Sequence, residues 1–74
     1  LEDKFDIIFL DPPYRNKNLD KVLIDIDKQK ILKKNGIIIV HRHKNEQDTI
    51  PKNFEIVEEK KYGISKIIFL TNLN

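Results

Sequence analysis

The chain contains no cysteine and no methionine. Without cysteine there is no disulfide framework to staple a small fold and no thiolate to hold a metal. Without methionine, and with Leu1 in first place, the chain reads as a piece of a longer protein rather than a whole translation product. No apolar run approaches the roughly 20 residues that span a bilayer. No charged-then-apolar leader opens the sequence, so the expected compartment is the cytoplasm. What remains is 74 residues, 39% hydrophobic and 35% charged. That much apolar side chain exceeds what a disordered chain carries. One domain is the ceiling at this length, and it buries only about 60% of its unfolded surface.

The net charge of +2 says little, but its distribution says more. Residues 1–27 carry a net −3, residues 28–44 a net +6, and residues 45–74 a net −1. The middle segment holds Lys28, Lys30, Lys33, Lys34, Arg42 and Lys44 with no acid among them. Such a segment neutralises phosphates and speeds encounter with nucleic acid. The plainer reading is a solvated lysine-rich loop, and composition alone favours it.

Four apolar blocks punctuate the chain. Phe5-Asp6-Ile7-Ile8-Phe9-Leu10 and Ile37-Ile38-Ile39-Val40 are short, rich in β-formers and nearly unbroken. Runs of that kind suit parallel strands buried on both faces. Between them Leu19, Val22, Leu23 and Ile26 recur at i, i+3, i+4 and i+7, one apolar face of a helix. Asn16 or Asn18 is placed to cap its start, with Asp20 in the first turn. Lys28 to Lys34 reads as a break with a short second turn through Ile31 and Leu32, closed by Asn35-Gly36. Strand, helix, strand is a βαβ unit with an expected right-handed crossover. Phe54 to Lys60 and Ser65 to Thr71, joined through Tyr62-Gly63-Ile64, read as an antiparallel hairpin. The fold class is therefore α/β: a partial, Rossmann-like sheet with a parallel βαβ followed by a terminal hairpin. The first strand presents a long apolar edge that folded proteins normally cover.

Asp11-Pro12-Pro13-Tyr14 follows the first strand directly. Ligands of open α/β sheets bind outside the carboxyl ends of the strands, so the tetrapeptide stands where chemistry belongs. Pro12 and Pro13 fix φ and remove two donors, leaving their carbonyls free to accept. Asp11 adds a carboxylate acceptor. Tyr14 adds a flat ring, and a base stacked on such a ring gains about 1–3 kcal/mol. Acceptors that polarise an exocyclic amino group raise its nucleophilicity without a strong general base. The bland alternative is a rigid exit turn. Its position after a buried strand, and the order acceptor, proline, proline, aromatic, favour a site.

Asp11-Pro12-Pro13-Tyr14 matches the [Asp/Asn/Ser]-Pro-Pro-[Tyr/Phe/Trp] signature of S-adenosylmethionine-dependent methyltransferases that modify amino groups of bases or of glutamine. The stretches Phe5–Tyr14, Ile31–Val40 and Lys60–Leu70, in that order, resemble the C-terminal half of the RsmD family. The Tyr62-Gly63-x-Ser65-x-Ile67-x-Phe69 hairpin separates that family from adenine-N6 enzymes. The resemblance implies methylation of the N2 amino group of a guanine in small-subunit ribosomal RNA, with S-adenosylmethionine as cofactor. Residues 1–74 would be a single partial domain, the substrate-base half, with the cofactor half upstream of Leu1. Asp11, Pro12, Pro13 and Tyr14 would be catalytic. Asp11 and the Pro12 carbonyl would accept from the guanine amino group, and Tyr14 would stack on the flipped base. Asp11 would also touch the cofactor.

Three features depart from the family pattern. A glycine-rich cofactor loop is missing, since Gly36 and Gly63 lie too far apart to form one. The acidic residue that usually follows the second strand of the family is missing too. In Val40-His41-Arg42-His43 a histidine stands where relatives carry an acid. The segment alone is thus expected to bind cofactor poorly and to transfer no methyl group.

Arg15, Lys17, Lys33, Lys34, Arg42 and Lys44 are the candidate contacts to ribosomal RNA or the assembling small subunit. His41 and His43 share a strand face but lack a third ligand at fixed spacing, so no metal role is expected. Asp25 and Asp27 are two apart on a helix and do not face each other. Two alternatives stay open: a DNA methyltransferase acting on adenine N6 or cytosine N4, and a noncatalytic RNA-binding or interaction remnant.

Overall fold

The computed structural model describes residues 4–11 and 18–73. Strand β1 spans Phe5–Leu10, helix α1 Leu19–Gln29, β2 Leu32–His43, β3 Phe54–Tyr62 and β4 Ser65–Asn72. They form a four-stranded sheet in the order β1-β2-β4-β3. β1 and β2 are parallel, joined through α1. β4 runs antiparallel to both β2 and β3. The expected α/β architecture is present. One detail lies beyond the sequence pattern: the hairpin folds back so that its second strand, β4, sits beside β2 and sends β3 to the edge.

The helix forms where the apolar period put it. Asn18 is its N-cap residue, and its backbone carbonyl accepts from Lys21 and Val22 at 3.1 and 3.3 Å. The expected side-chain cap from Asn18 is not made. The helix ends at Lys30, which takes a left-handed conformation (φ 52) and donates its N–H to the Asp27 carbonyl. The second helical turn expected through Ile31 and Leu32 does not form. Leu32 is already in β2, and the Phe5 N–H donates to the Ile31 carbonyl at 2.7 Å. Edge pairing with β1 captures these residues before a new helical turn can nucleate, which is costly for so few residues.

Asn35-Gly36 proves to be a bulge inside β2. Phe5 pairs with Leu32 and Ile7 with Ile37, so β2 spends extra residues against β1. Asn35 absorbs the irregularity at φ 65, a conformation that asparagine tolerates better than most residues. A Cβ on Gly36 would lie 2.6 Å from Leu32 Cδ1 and 2.8 Å from the Lys33 carbonyl. The bulge therefore needs glycine there for space. Gly63, at φ +56, opens the two-residue turn of the β3–β4 hairpin, where a positive φ matches the strand twist.

One face of the sheet carries the core. Leu19, Leu23 and Ile26 of α1 are buried with Leu32, Ile38 and Val40 of β2, Phe54 of β3, and Ile68 and Leu70 of β4. Ile8, Leu10 and Ile50 pack against them. The opposite face holds the alternate residues. Phe5, Ile7 and Phe9 are exposed there, while Ile37, Ile39, Ile67 and Phe69 are half-buried. The expectation that β1 and β2 would be buried on both faces is thus met on one face only. A single 11-residue helix has one apolar stripe and covers one side. Among the described residues no helix is long and apolar enough to cross a membrane.

Truncating Leu23, which is fully buried, removes the centre of the helix–sheet contact. Leu23→Ala should cost about 2–5 kcal/mol, read as a lower urea midpoint at unchanged slope. Ile24, on the exposed side of the same helix turn, provides the control: Ile24→Ala should change the midpoint by far less.

Candidate functional site

Parallel pairing brings the carboxyl ends of β1 and β2 together. Leu10, the last residue of β1, pairs with Val40, so Asp11, just past β1, lies beside His41, which is still within β2. Side chains alternate along a strand. Asp11 therefore follows Phe9 onto the open face, and His41 follows Ile39 onto the same face. There His41 Nδ1 lies 3.1 Å from Asp11 Oδ1. Both side chains are partly open to solvent, Asp11 at 62% and His41 at 39%. An ionised carboxylate can only accept, so Nδ1 is the donor in this pair.

Pro12, Pro13, Tyr14, Arg15 and Lys17 lie outside the described residues, so the rest of the expected motif has no geometry here. Asp11 is the motif residue that the structure places. It stands at the strand terminus where open α/β sheets take their ligands. His41 was not among the expected site residues. The signal that finds it is positional: it follows an apolar run, Ile37–Val40, as Asp11 follows Phe5–Leu10, and the parallel register juxtaposes the two.

Arg42 turns the other way, onto the helix-covered face, and is 3% exposed. Its guanidinium forks onto Asp48, with Nε to Oδ2 and Nη2 to Oδ1 both at 2.9 Å. Nη2 also reaches Glu46 Oε2 at 3.5 Å. Lys66 pairs with Arg42 across β2 and β4 and is 8% exposed. Its ammonium donates to the Glu46 backbone carbonyl. Two cations side by side in a nearly buried layer would repel and lack solvation. The β2–β3 loop answers both by folding its acids and one carbonyl onto them. Arg42 Nε and Nη2 are thus engaged inside the fold, away from the exposed surface where a phosphate would be met.

The basic segment is therefore not one surface. Lys33 and Lys34 are exposed at the amino end of the β1–β2 pair, where Lys33 Nζ lies 3.6 Å from Asp6 Oδ2. The length of β1, about 20 Å at the usual rise, separates them from Asp11. Lys44 is exposed just past β2, at the same end as Asp11, and its N–H donates to the Ile64 carbonyl at 2.8 Å. Two concavities reflect this split. One, lined by Lys4, Lys30, Lys34, Ile26, Leu32 and Phe54 among others, lies at the amino end, away from the motif. The other, between α1 and the β2–β3 loop, is lined by Asp20, Asn45, Glu46, Gln47, Asp48 and Thr49. Its acids make it a poor seat for a phosphate. Among the described residues no group of three or more His, Asp or Glu side chains gathers to hold a metal.

Residues 1–71 match the family model described as Conserved hypothetical protein 95. The chain is 38% identical over 66 residues to an uncharacterized methylase of Rickettsia prowazekii, covering 89% of this chain and 28% of that protein. It is 34% identical over 56 residues to ribosomal RNA small subunit methyltransferase D of Buchnera aphidicola, covering 76% of this chain and 29% of that one. Among solved structures, a Haemophilus influenzae chain superposes with a TM-score of 0.82 at 28% identity, over all of this chain and 47% of its own length. A Streptococcus pyogenes conserved hypothetical protein gives 0.82 at 29%, over 97% of this chain and 46% of its own. The chain thus spans under a third of those two curated relatives and just under half of the two solved chains.

The Arg42–Asp48 fork predicts a stability effect with a geometric signature. Arg42→Ala leaves Asp48, whose side chain is 5% exposed, buried without its partner. Breaking a buried pair from one side should cost about 3–5 kcal/mol. Arg42→Lys keeps the charge but loses the fork, and should recover only part of that loss. Denaturant midpoints of the two variants check the order.

Proposed function

This chain belongs to the family described as Conserved hypothetical protein 95, and on that premise we propose that it is the substrate-base half of a methyltransferase domain. The methyl acceptor is the exocyclic N2 amino group of a guanine in small-subunit ribosomal RNA. The observation that carries this reading is Asp11, an exposed carboxylate at the carboxyl end of a parallel strand, opening an Asp-Pro-Pro-Tyr sequence. The names borne by the Rickettsia and Buchnera relatives support the reaction class, and the Buchnera name supports the RNA substrate.

The chemistry asked of this segment is modest. A guanine amino group needs acceptors in its plane and a surface to hold the flipped base. Asp11 supplies one acceptor. By sequence, the Pro12 carbonyl supplies a second and Tyr14 the stacking ring, which offsets a few kcal/mol of unstacking. Pro13, by sequence, restricts the backbone between them.

The methyl donor of this reading is S-adenosylmethionine. The described residues do not make a site for it. Gly36 is packed inside β2, and Gly63, though its turn adjoins the carboxyl end of β2, is a lone glycine, so the two do not form a glycine-rich cradle. Asp11 is the one described residue placed to touch the donor. The remaining contacts belong to the portion by which the relatives are longer, and that portion would also cover the open face of Phe5, Ile7 and Phe9.

The test is methyl transfer to undermodified small ribosomal subunits, with the product nucleoside identified by mass spectrometry. The polypeptide extended to the length of its relatives should form N2-methylguanosine, and the 74-residue segment alone should not. Asp11→Ala in the extended protein should lower the rate by about 10²–10³, and Tyr14→Phe should be mild. Near-unaltered turnover in Asp11→Ala would sink the assignment. Salt titrations of RNA binding separate the lysines. Lys44→Ala should lower the slope of log affinity against log salt by about 1, while Lys33→Ala and Lys34→Ala, at the far end of the sheet, should leave it unchanged.

A further inference from the structure

We infer that His41 is the positioning residue for Asp11: its Nδ1–H holds one carboxylate oxygen so that the other faces the substrate amino group. The inference rests on the methyl-transfer reading and names a residue that reading did not include.

The two members of the pair differ in how firmly they are held. β2 is an inner strand, bonded to β1 on one side and β4 on the other. His41 lies within it, with a register partner in Ile67 of β4. Ile39 and His43 flank it on the same face of its own strand. Its backbone is therefore among the better fixed positions of the sheet. Asp11 is one residue past the end of β1, which is an edge strand. Its backbone is leaving the ladder and its side chain is largely solvated. A carboxylate so placed samples several rotamers, and each is a different place for the acceptor. The 3.1 Å contact from the inner strand selects one of them.

The geometry divides the labour between the two oxygens. Oδ1 accepts from His41. Oδ2 keeps its lone pairs for a donor arriving from outside the strand end. An acceptor must come within about 2.6–3.2 Å of the group it serves, and a displacement of about 1 Å costs roughly 100-fold in rate. One fixed hydrogen bond is enough to matter on that scale. In a neutral ring it also fixes the tautomer, because Nδ1 must carry the proton.

The experiment uses the extended polypeptide. His41→Ala should lower kcat by between about 10- and 100-fold, with KM for RNA and the thermal midpoint unchanged. His41→Asn places an amide donor near the position of Nδ1 and should restore most of that loss. The ring nitrogen shifts of His41 should report the proton on Nδ1 in the unaltered protein, and a loss of that preference in Asp11→Ala. Equal turnover in His41→Ala and the unaltered protein overturns the inference while the methyl-transfer reading stands. So does a His41→Asn variant as slow as His41→Ala, or an Nδ1 found without its proton. An unaltered protein that transfers no methyl group overturns the reading itself, and the inference with it.

Discussion

Two paired strands running in the same direction present the residues that follow each register pair side by side. The rest of this structure depends on that constraint. Leu10 opposite Val40 means that whatever follows each residue shares one end of the sheet. Asp11 and His41 meet because of that register, not because of any closeness in sequence. The crossover helix makes the parallel pairing possible, and its apolar stripe stabilises it. Leu19, Leu23 and Ile26 press on the same face that Ile38 and Val40 present. Packing, topology and the candidate chemistry are consequences of one βαβ unit.

The sheet's two faces then divide the work. On the covered face, alternation that buries Ile38 and Val40 also carries Arg42 inward. A cation there is tolerable only with carboxylates, and Asp48 and Glu46 arrive from the loop to supply them. That arrangement costs desolvation, yet it ties the β2–β3 loop to the end of the sheet where Asp11 stands. On the open face, alternation delivers Asp11 and His41 beyond a row of apolar side chains. Phe5, Ile7 and Phe9 are too exposed for a finished surface, as apolar patches of this kind usually mark contacts. The apolar code of β1 is written for two covers, and this chain supplies one.

The charge pattern shows how a linear count misleads. Residues 28–44 hold a net +6, but the fold scatters them. Lys33 and Lys34 go to one end of the sheet, Lys44 to the other, and Arg42 into the interior. A strand about six residues long is enough to separate charges by more than a Debye length at physiological salt. Only charges that share an end act together on a ligand.

The sequence by itself determined the elements and their order. The 3.6-residue period of Leu19, Val22, Leu23 and Ile26 fixes α1 because one apolar stripe has one way to be buried. The β-branched runs fix the strands, and Gly63 fixes the hairpin turn. Asp11 was legible because it ends a strand in a distinctive tetrapeptide. Asn35-Gly36 suits a helix stop or a turn as well as a bulge, since a positive φ at Asn35 serves in each setting. The partner of Asp11, the inward turn of Arg42 and the placing of β4 beside β2 were decided by the tertiary structure alone. Each depends on register and on which face of a strand meets the helix, and those are set by packing between segments far apart in the chain.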